Sequence, residues 1–585
     1  MVSLQRLALI VALTTTLGLY AQSDPQADPA ADSAPLPIEQ EPSPAADSLG
    51  YLPEDQNLKE VDPFADIHQE DVIAYIDEIR EVDFPQASLF DNMQYPYSMS
   101  SYRLGSDFTG FQPNAVAIKR QGFTLPDSYY QSWLYLGYLS QFYSFEQEIM
   151  ALDARPRAYE HQVSLSRLEG ALGDYDSRYA QGSFAKGSIF GLEGSSMQFD
   201  YRLFNGYWVD FDNSGNSVRQ YLGYRYKDLT FAVDYASYQK EGGSYELNPA
   251  YWHLGNFRIK NRYSQLVAQI SHPWLTLSLA NFQERISSAS FSQSWKTESW
   301  HVAAEKELIL PLSRLDLRYE YRDLTRNYSP PSPGFENEYR QQSSLDFQHS
   351  SFADLSLQAQ AFDWDKYKTW LELSKAFGPF SLGVYSRMNH GQHDATLEVT
   401  SPLDATLIPA VDIFCAQENA LVTGLNYRGL KLKLALGRGE EHQQSAQELK
   451  PELWVLHLSG AFDKTFGAWR FKINSGWNYH EYDPYLVAAP EFTFFSEQRV
   501  LLDLKHDNNL QAGFALQGHS EYYLPNAVNP YLIEASTMLD AWVGVRISKL
   551  FDFTVTVKNL LSTSIYGLYP IPQSLHANLR WFFIN

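Results

Sequence analysis

From about residue 161 almost to its end, the chain alternates apolar and polar residues with period two. Phe551-Asp-Phe553-Thr-Val555-Thr-Val557-Lys558 has every odd position apolar and every even one polar. Leu315-Asp-Leu-Arg-Tyr-Glu-Tyr-Arg322, Leu430-Lys-Leu-Lys-Leu-Ala-Leu436 and Trp469-Arg-Phe-Lys-Ile-Asn474 do the same. In the last such segment Leu575, Ala577, Leu579, Trp581 and Phe583 fall on one face and His576, Asn578 and Arg580 on the other. Successive side chains of a strand point to opposite faces, so this rhythm predicts β-sheet with one apolar face.

Twenty-two segments of this kind can be placed between 161 and 583. Many run ten residues or more, close to the ~9–11 that a tilted strand needs to cross a bilayer. Soluble strands average about five or six. Joints after even-numbered segments are mostly tight, as at Lys227-Asp228, Phe377-Gly-Pro379 and Arg428-Gly429. Most joints after odd-numbered segments are long: 240–255, 327–338, 390–419, 440–451, 482–495, 523–535 and 562–572. A soluble sandwich has no reason to segregate loop length in this way. A transmembrane barrel does, with short periplasmic turns and long extracellular loops. The predicted fold is therefore all-β: a transmembrane antiparallel up-and-down β-barrel of about 22 strands over 161–585, in the outer membrane of a Gram-negative bacterium.

Composition supports this reading. Aromatics make up 15% of 585 residues and charged residues only 19%. Mean hydropathy is −0.35, and beyond the first residues there is no apolar run long enough for a helical span. Strands that are half apolar, with aromatic girdles at both interfaces, produce this balance. At the N-terminus, Arg6 and the apolar stretch Leu7 to Leu19 read as a signal peptide over 1–21.

Residues 22–70 are different material. They hold eight prolines, twelve acidic residues and the single basic side chain Lys59, and thus 11 of the 24 net negative charges. Such a segment buries too little apolar surface to order itself, and is expected to be a disordered acidic, Pro-rich periplasmic linker. The acidic balance argues against a nucleic-acid partner. The only cysteine, Cys415, rules out a disulfide framework and any multi-cysteine metal site, and reads as an incidental thiol in a long loop.

The terminal hairpin, from Val557-Lys-Asn-Leu-Leu through Tyr566-Gly-Leu-Tyr-Pro570 to Leu579-Arg-Trp-Phe-Phe583, resembles the last hairpin of TonB-dependent receptors. Arg167-Leu-Glu-Gly-Ala-Leu-Gly-Asp-Tyr-Asp-Ser-Arg-Tyr-Ala-Gln-Gly-Ser-Phe184 resembles that family's first barrel hairpin, and its barrels have the same strand number. The resemblance implies uptake of a ligand across the outer membrane, and an aromatic closing strand engaged by the outer-membrane assembly machinery. Lipid and lipopolysaccharide would surround the barrel, with TonB as a possible periplasmic partner.

The family's plug exceeds a hundred residues, whereas 71–160 leaves about ninety. This segment is expected to be a reduced or vestigial plug. Asn114-Ala-Val-Ala-Ile-Lys-Arg-Gln-Gly-Phe123 is similar to a plug strand ending in a Gly turn, while a charged-Gly-Pro motif near 145–160 is missing. Asp71-Val-Ile-Ala-Tyr-Ile76 reads as the start of a short amphipathic helix, with a TonB box as the alternative. A lumen this wide is normally plugged, so 71–160 or folded-in loops such as 390–419 should occlude it.

No catalytic, cofactor-binding or metal site emerges, and the ligand-binding residues stay unassigned; an enzyme is not expected. His390-Gly-Gln-His393 lacks a third ligand at metal spacing, and Glu440-Glu-His442 falls on an expected loop. Asp316, Arg318, Glu320 and Arg322, with Lys431, Lys433, Arg470 and Lys472, read as a wetted lumen wall with cross-strand ion pairs, or more sharply as a selectivity surface. Tyr245, Tyr251, Trp252, Tyr482, Tyr485, Phe492, Phe494 and Phe495 give the long loops an aromatic character suited to ligand capture. The alternatives are a passive porin without TonB coupling, and a surface protein for adhesion or secretion-complex assembly.

Overall fold

The computed structural model describes residues 71–76, 117–121, 123–124, 143–147 and most of 151–584. Beyond 151, the chief exceptions are 244–257, 330–337, 391–412, 444–452, 482–490 and 525–530. The expected signal peptide and acidic linker lie outside the described residues, as do Tyr245, Tyr251, Trp252, Tyr482, Tyr485 and His393.

Period-two alternation demands that one face of every strand meet an apolar medium, and closure into a ring achieves this without leaving an edge. Twenty-two antiparallel strands form one closed barrel. In chain order they are Leu165–Gly173, Arg178–Gly187, Ser195–Trp208, Phe211–Tyr226, Leu229–Gly243, Arg258–His272, Leu275–Ser288, Gln293–Leu310, Ser313–Ser329, Glu338–Ser350 and Asp354–Phe362. They continue as Lys366–Phe377, Phe380–His390, Ile413–Tyr427, Leu430–Gln443, Leu453–Phe466, Trp469–His480, Phe492–Asp503, Asn509–His519, Ser536–Ile547, Phe551–Lys558 and Ser574–Ile584. Each strand pairs with its neighbour in sequence, and the last pairs with the first, Leu579 opposite Gly170 and Trp581 opposite Leu168.

The outward face is apolar and exposed, as at Leu168, Leu277, Leu371, Leu436 and Leu579, while Arg167, Glu169, Asp200, Glu320 and Arg580 are buried inside. This inversion of a soluble protein is the membrane solution: backbone groups are paired within the ring and apolar side chains face lipid. None of the described helices is long and apolar enough to cross a membrane.

One end of the barrel carries the tight turns. At Arg428-Gly429 both residues are left-handed, with φ 49° and 90°, the type I′ geometry that matches strand twist. A Cβ on Gly429 would lie 2.3 Å from the Asp463 carbonyl oxygen, so glycine alone fits there. At the other end the strands often run past the expected joints, and residues 209–210 alone link the third strand to the fourth. Phe492, Phe494 and Phe495 therefore belong to a barrel strand, not to a loop. Phe492 and Phe494 pack against the outward-facing Trp477, at 5.7 and 6.1 Å between ring centroids. The same correction applies to Glu440, Glu441 and His442, and to Cys415, which all lie in strands. Hydrogen-bonded hairpins remain favourable in water, so alternation weakens beyond the membrane before pairing ends.

Ahead of the barrel stands a four-stranded sheet of order Phe123–Thr124, Ala117–Arg120, Ala151–Pro156 and Tyr143–Gln147. Residues 71–76 are helical.

Candidate functional site

The site begins where the small sheet meets the inner barrel wall. Strand Ala117–Arg120 turns at Gln121, held at φ 51°, and returns through Phe123. The Gln121 amide donates to Asp234 Oδ2 at 2.8 Å. Asp234 is itself engaged by Arg219, Nε to Oδ1 at 3.0 Å. Arg219 also donates to Gln198 Oε1 at 3.0 Å and lies 3.7 Å from Asp200. Gln198 in turn donates to the carbonyl of Arg157, on the segment that leads into the barrel. All these wall side chains occupy inward positions of the third to fifth strands and are buried, so each ion must be paired to remain there.

Phe123 enters a neighbouring socket. Its ring lies edge-on to His301 at 5.6 Å and to Phe282 at 6.3 Å, with the Arg318 guanidinium 4.9 Å from its centroid. His301 Nδ1 is 2.7 Å from Glu320 Oε1, and its Nε2 is 2.9 Å from Ser299 Oγ. Arg318 reaches Glu305 at 2.9 Å and Glu320 at 3.5 Å. The hairpin is thus held by one polar and one aromatic contact, on two separate charged networks.

A second contact lies at the turn end. Val72, Tyr75 and Ile76 of the helical stretch are buried in a cluster with Tyr159, Leu165, Ala185 and Phe582. Tyr75 meets Tyr159 edge-on at 5.1 Å, and the Tyr159 hydroxyl donates to the Val163 carbonyl at 2.6 Å. Burial pushes both phenol pKa values upward, so both hydroxyls stay neutral. Residues 71–76 are helical, as expected for the start of a short amphipathic helix.

Several members of the charged ladder singled out in the sequence carry ion pairs on the barrel wall. Arg470 reaches Asp463 at 2.8 Å, with Lys472 at 3.9 Å from the same carboxylate. Lys433 lies 3.6 Å from Glu372, and Arg314 bridges Asp316 and Glu307 at 2.9 and 3.0 Å. Sequence reasoning found Arg318 and Glu320 but missed Gln121, Asp234, Arg219, Phe282 and His301. Gln121 was legible only as a turn, and for the wall residues the signal was only an inward parity shared with dozens of others. Among the described residues no group of three His, Cys, Asp or Glu side chains is arranged to hold a metal.

A closed 22-stranded antiparallel barrel with an apolar outer face defines a class: transmembrane β-barrels, here with residues of an N-terminal sheet in contact with the inner wall. No protein-family model matches the sequence, and no curated protein matches it. Solved structures do share the fold. The siderophore receptor PirA from Pseudomonas aeruginosa is 10% identical with a TM-score of 0.60, over 84% of this chain and 97% of that one. PirA from Acinetobacter baumannii is also 10% identical, at 0.57, over 81% and 91%. The FrpB iron transporter from Neisseria meningitidis (F5-1 variant) is 8% identical, at 0.59, over 80% and 93%. The likeness to the TonB-dependent receptor type, drawn first from two hairpins, therefore extends over the barrel as a fold.

Proposed function

We propose that this chain is an outer-membrane transport protein of the TonB-dependent-receptor type, a plugged barrel that admits a small ligand. The observation that carries this reading is the hairpin at Gln121–Phe123, anchored on the inner wall of a barrel too wide to be left open. The tight turns face the periplasm and the long loops the exterior, in the outer membrane of a Gram-negative cell. Proteins of similar fold are named for siderophores and iron, so a ferric chelate is the first ligand to try. In this reading the chain is not an enzyme. It works among outer-membrane lipid and lipopolysaccharide, and its aromatic last strand, Ser574–Ile584, is the segment handed to the assembly machinery.

Planar-bilayer conductance of the purified protein tests the reading. An occluded receptor gives no large steady conductance. Phe123→Ala combined with Gln121→Ala should produce frequent openings. A wild-type chain with large steady conductance would instead be a passive porin. Coupling to TonB is the finer part of the proposal. A purified periplasmic TonB domain should be retained by the full chain and lost when 71–76 are deleted; retention without 71–76 sinks that part alone.

A further inference from the structure

Strand register gathers like charges on the outer wall, at the loop end of the barrel. Arg262 of strand Arg258–His272 stands opposite Arg285 of Leu275–Ser288, and Arg285 stands opposite Lys296 of Gln293–Leu310. All three side chains are exposed, while their chain neighbours Tyr263, Glu284 and Thr297 are buried inside the barrel. They form one outward row across three adjacent strands, about 10 Å from end to end. Lys260, two residues beyond Arg262, has the same outward parity.

Like charges directly opposed across strands destabilise a sheet. Lys296 meets Glu298 at 2.8 Å and Lys260 meets Glu241 at 3.5 Å, but Arg285 stands between two cations. An anion bridging the row would turn this repulsion into attraction. The height of the row says which anion is at hand. Leu277, Leu279, Trp300 and Val302 are outward and exposed on the same strands, and a tryptophan of this kind marks the edge of the apolar band. Lys296 lies four residues from Trp300 toward the loop end. That is about 13 Å along the strand, and about 10 Å in height at the usual tilt. The cations thus stand just above the acyl chains of the outer leaflet, at the level of its headgroups.

We propose that Arg262, Arg285 and Lys296 form a docking site for the phosphorylated sugar headgroup of lipopolysaccharide. Guanidinium groups hold phosphate oxygens in pairs, and the lysine adds a compact third charge. The acyl chains of the same molecule lie against the exposed Leu266, Leu277 and Leu279 below the row. A glycolipid therefore meets both a basic row and an apolar wall, whereas a free anion meets the row alone. The site is not legible in sequence, because each cation is an isolated polar residue of its own strand and only register aligns them. The inference rests on the outer-membrane placement proposed above and not on transport. The row lies outside the lumen, so the conductance test stands or falls independently of it.

The test uses the purified full chain in nonionic detergent, with bisphosphorylated lipid A as probe. Dephosphorylated lipid A, phosphatidylglycerol and inorganic phosphate serve as comparisons. The wild type should retain bisphosphorylated lipid A at least about tenfold better than either comparison lipid. Arg262→Gln, Arg285→Gln and Lys296→Gln combined should remove that preference, and the charge-keeping Lys296→Arg should leave it intact. Without lipid, the triple variant should melt no lower than the wild type, because opposed cations have been taken away. With lipid A, only the wild type should gain thermal stability. A triple variant with the wild-type preference, or equal retention of dephosphorylated lipid A or of phosphatidylglycerol, would overturn the site. Displacement of lipid A by an equal concentration of inorganic phosphate would assign the row to free phosphate and overturn it as well. Heat-modifiable migration on gels confirms that every variant is folded.

Discussion

Phe123 is the residue on which the contact between the N-terminal sheet and the barrel wall turns. Its ring is wholly buried between Phe282, His301 and Arg318. Phe123→Ala should weaken docking by about 3–5 kcal/mol, the usual cost of emptying an aromatic socket. Faster proteolysis of the 117–124 segment in the intact barrel would register this, and an unchanged rate would refute it. Tyr75 and Tyr159 give a pH-dependent counterpart. Their folded pKa values are raised, so their stabilisation is complete below the unfolded tyrosine value of about 10 and is lost as pH climbs through the higher folded values. The helical contact should hold at pH 9 and fail only in strong alkali, as followed by tyrosinate absorbance. The turn at Gln121 was legible in sequence, because an apolar stretch ends there on Gln-Gly-Phe. Its partners were not: Asp234 and His301 look like any other inward polar residue of an alternating strand. Cys415 was misplaced in a loop for a related reason, since pairing continues where alternation has faded.

Among the strands, the alternation and the tight turns were enough to place every barrel strand, while the far ends drifted by several residues. The turn ends carry a feature the alternation did not announce. Lys227 lies 5.4 Å from the Tyr226 ring, Lys306 5.0 Å from Trp274, Lys375 5.5 Å from Phe377 and Arg428 5.1 Å from Tyr427. All four rings are on the outward face and at least half exposed. A cation on an interfacial ring keeps N–H donors for a lipid phosphate. Replacing the four cations by Gln should lower the ratio of anionic to zwitterionic phospholipid bound from an equimolar mixture by about fivefold. Native mass spectrometry reads this ratio, and equal retention by variant and wild type would exclude the role.

For the whole molecule, closure is made by chain segments remote in sequence. Glu169 accepts from Asn578 and Arg580 across 409 and 411 residues, at 2.8 and 3.2 Å. The buried cluster of Val72, Tyr75, Ile76, Leu165, Ala185 and Phe582 lies on this same seam. Ile76→Asp, which puts a charge into that cluster, should expel the helix and speed cleavage near residue 76 at least about tenfold. A cleavage rate equal to the wild type would show that the helix does not depend on the cluster.

The seam also imposes an order of events on assembly. Until Ser574–Ile584 arrives, Leu165–Gly173 is an open edge, and Ile76 lacks the Phe582 ring that helps to bury it. The same few side chains thus report both that the ring has closed and that the N-terminal segment is in place. Proofreading of the finished barrel can rest on that one patch, because only a complete ring presents it.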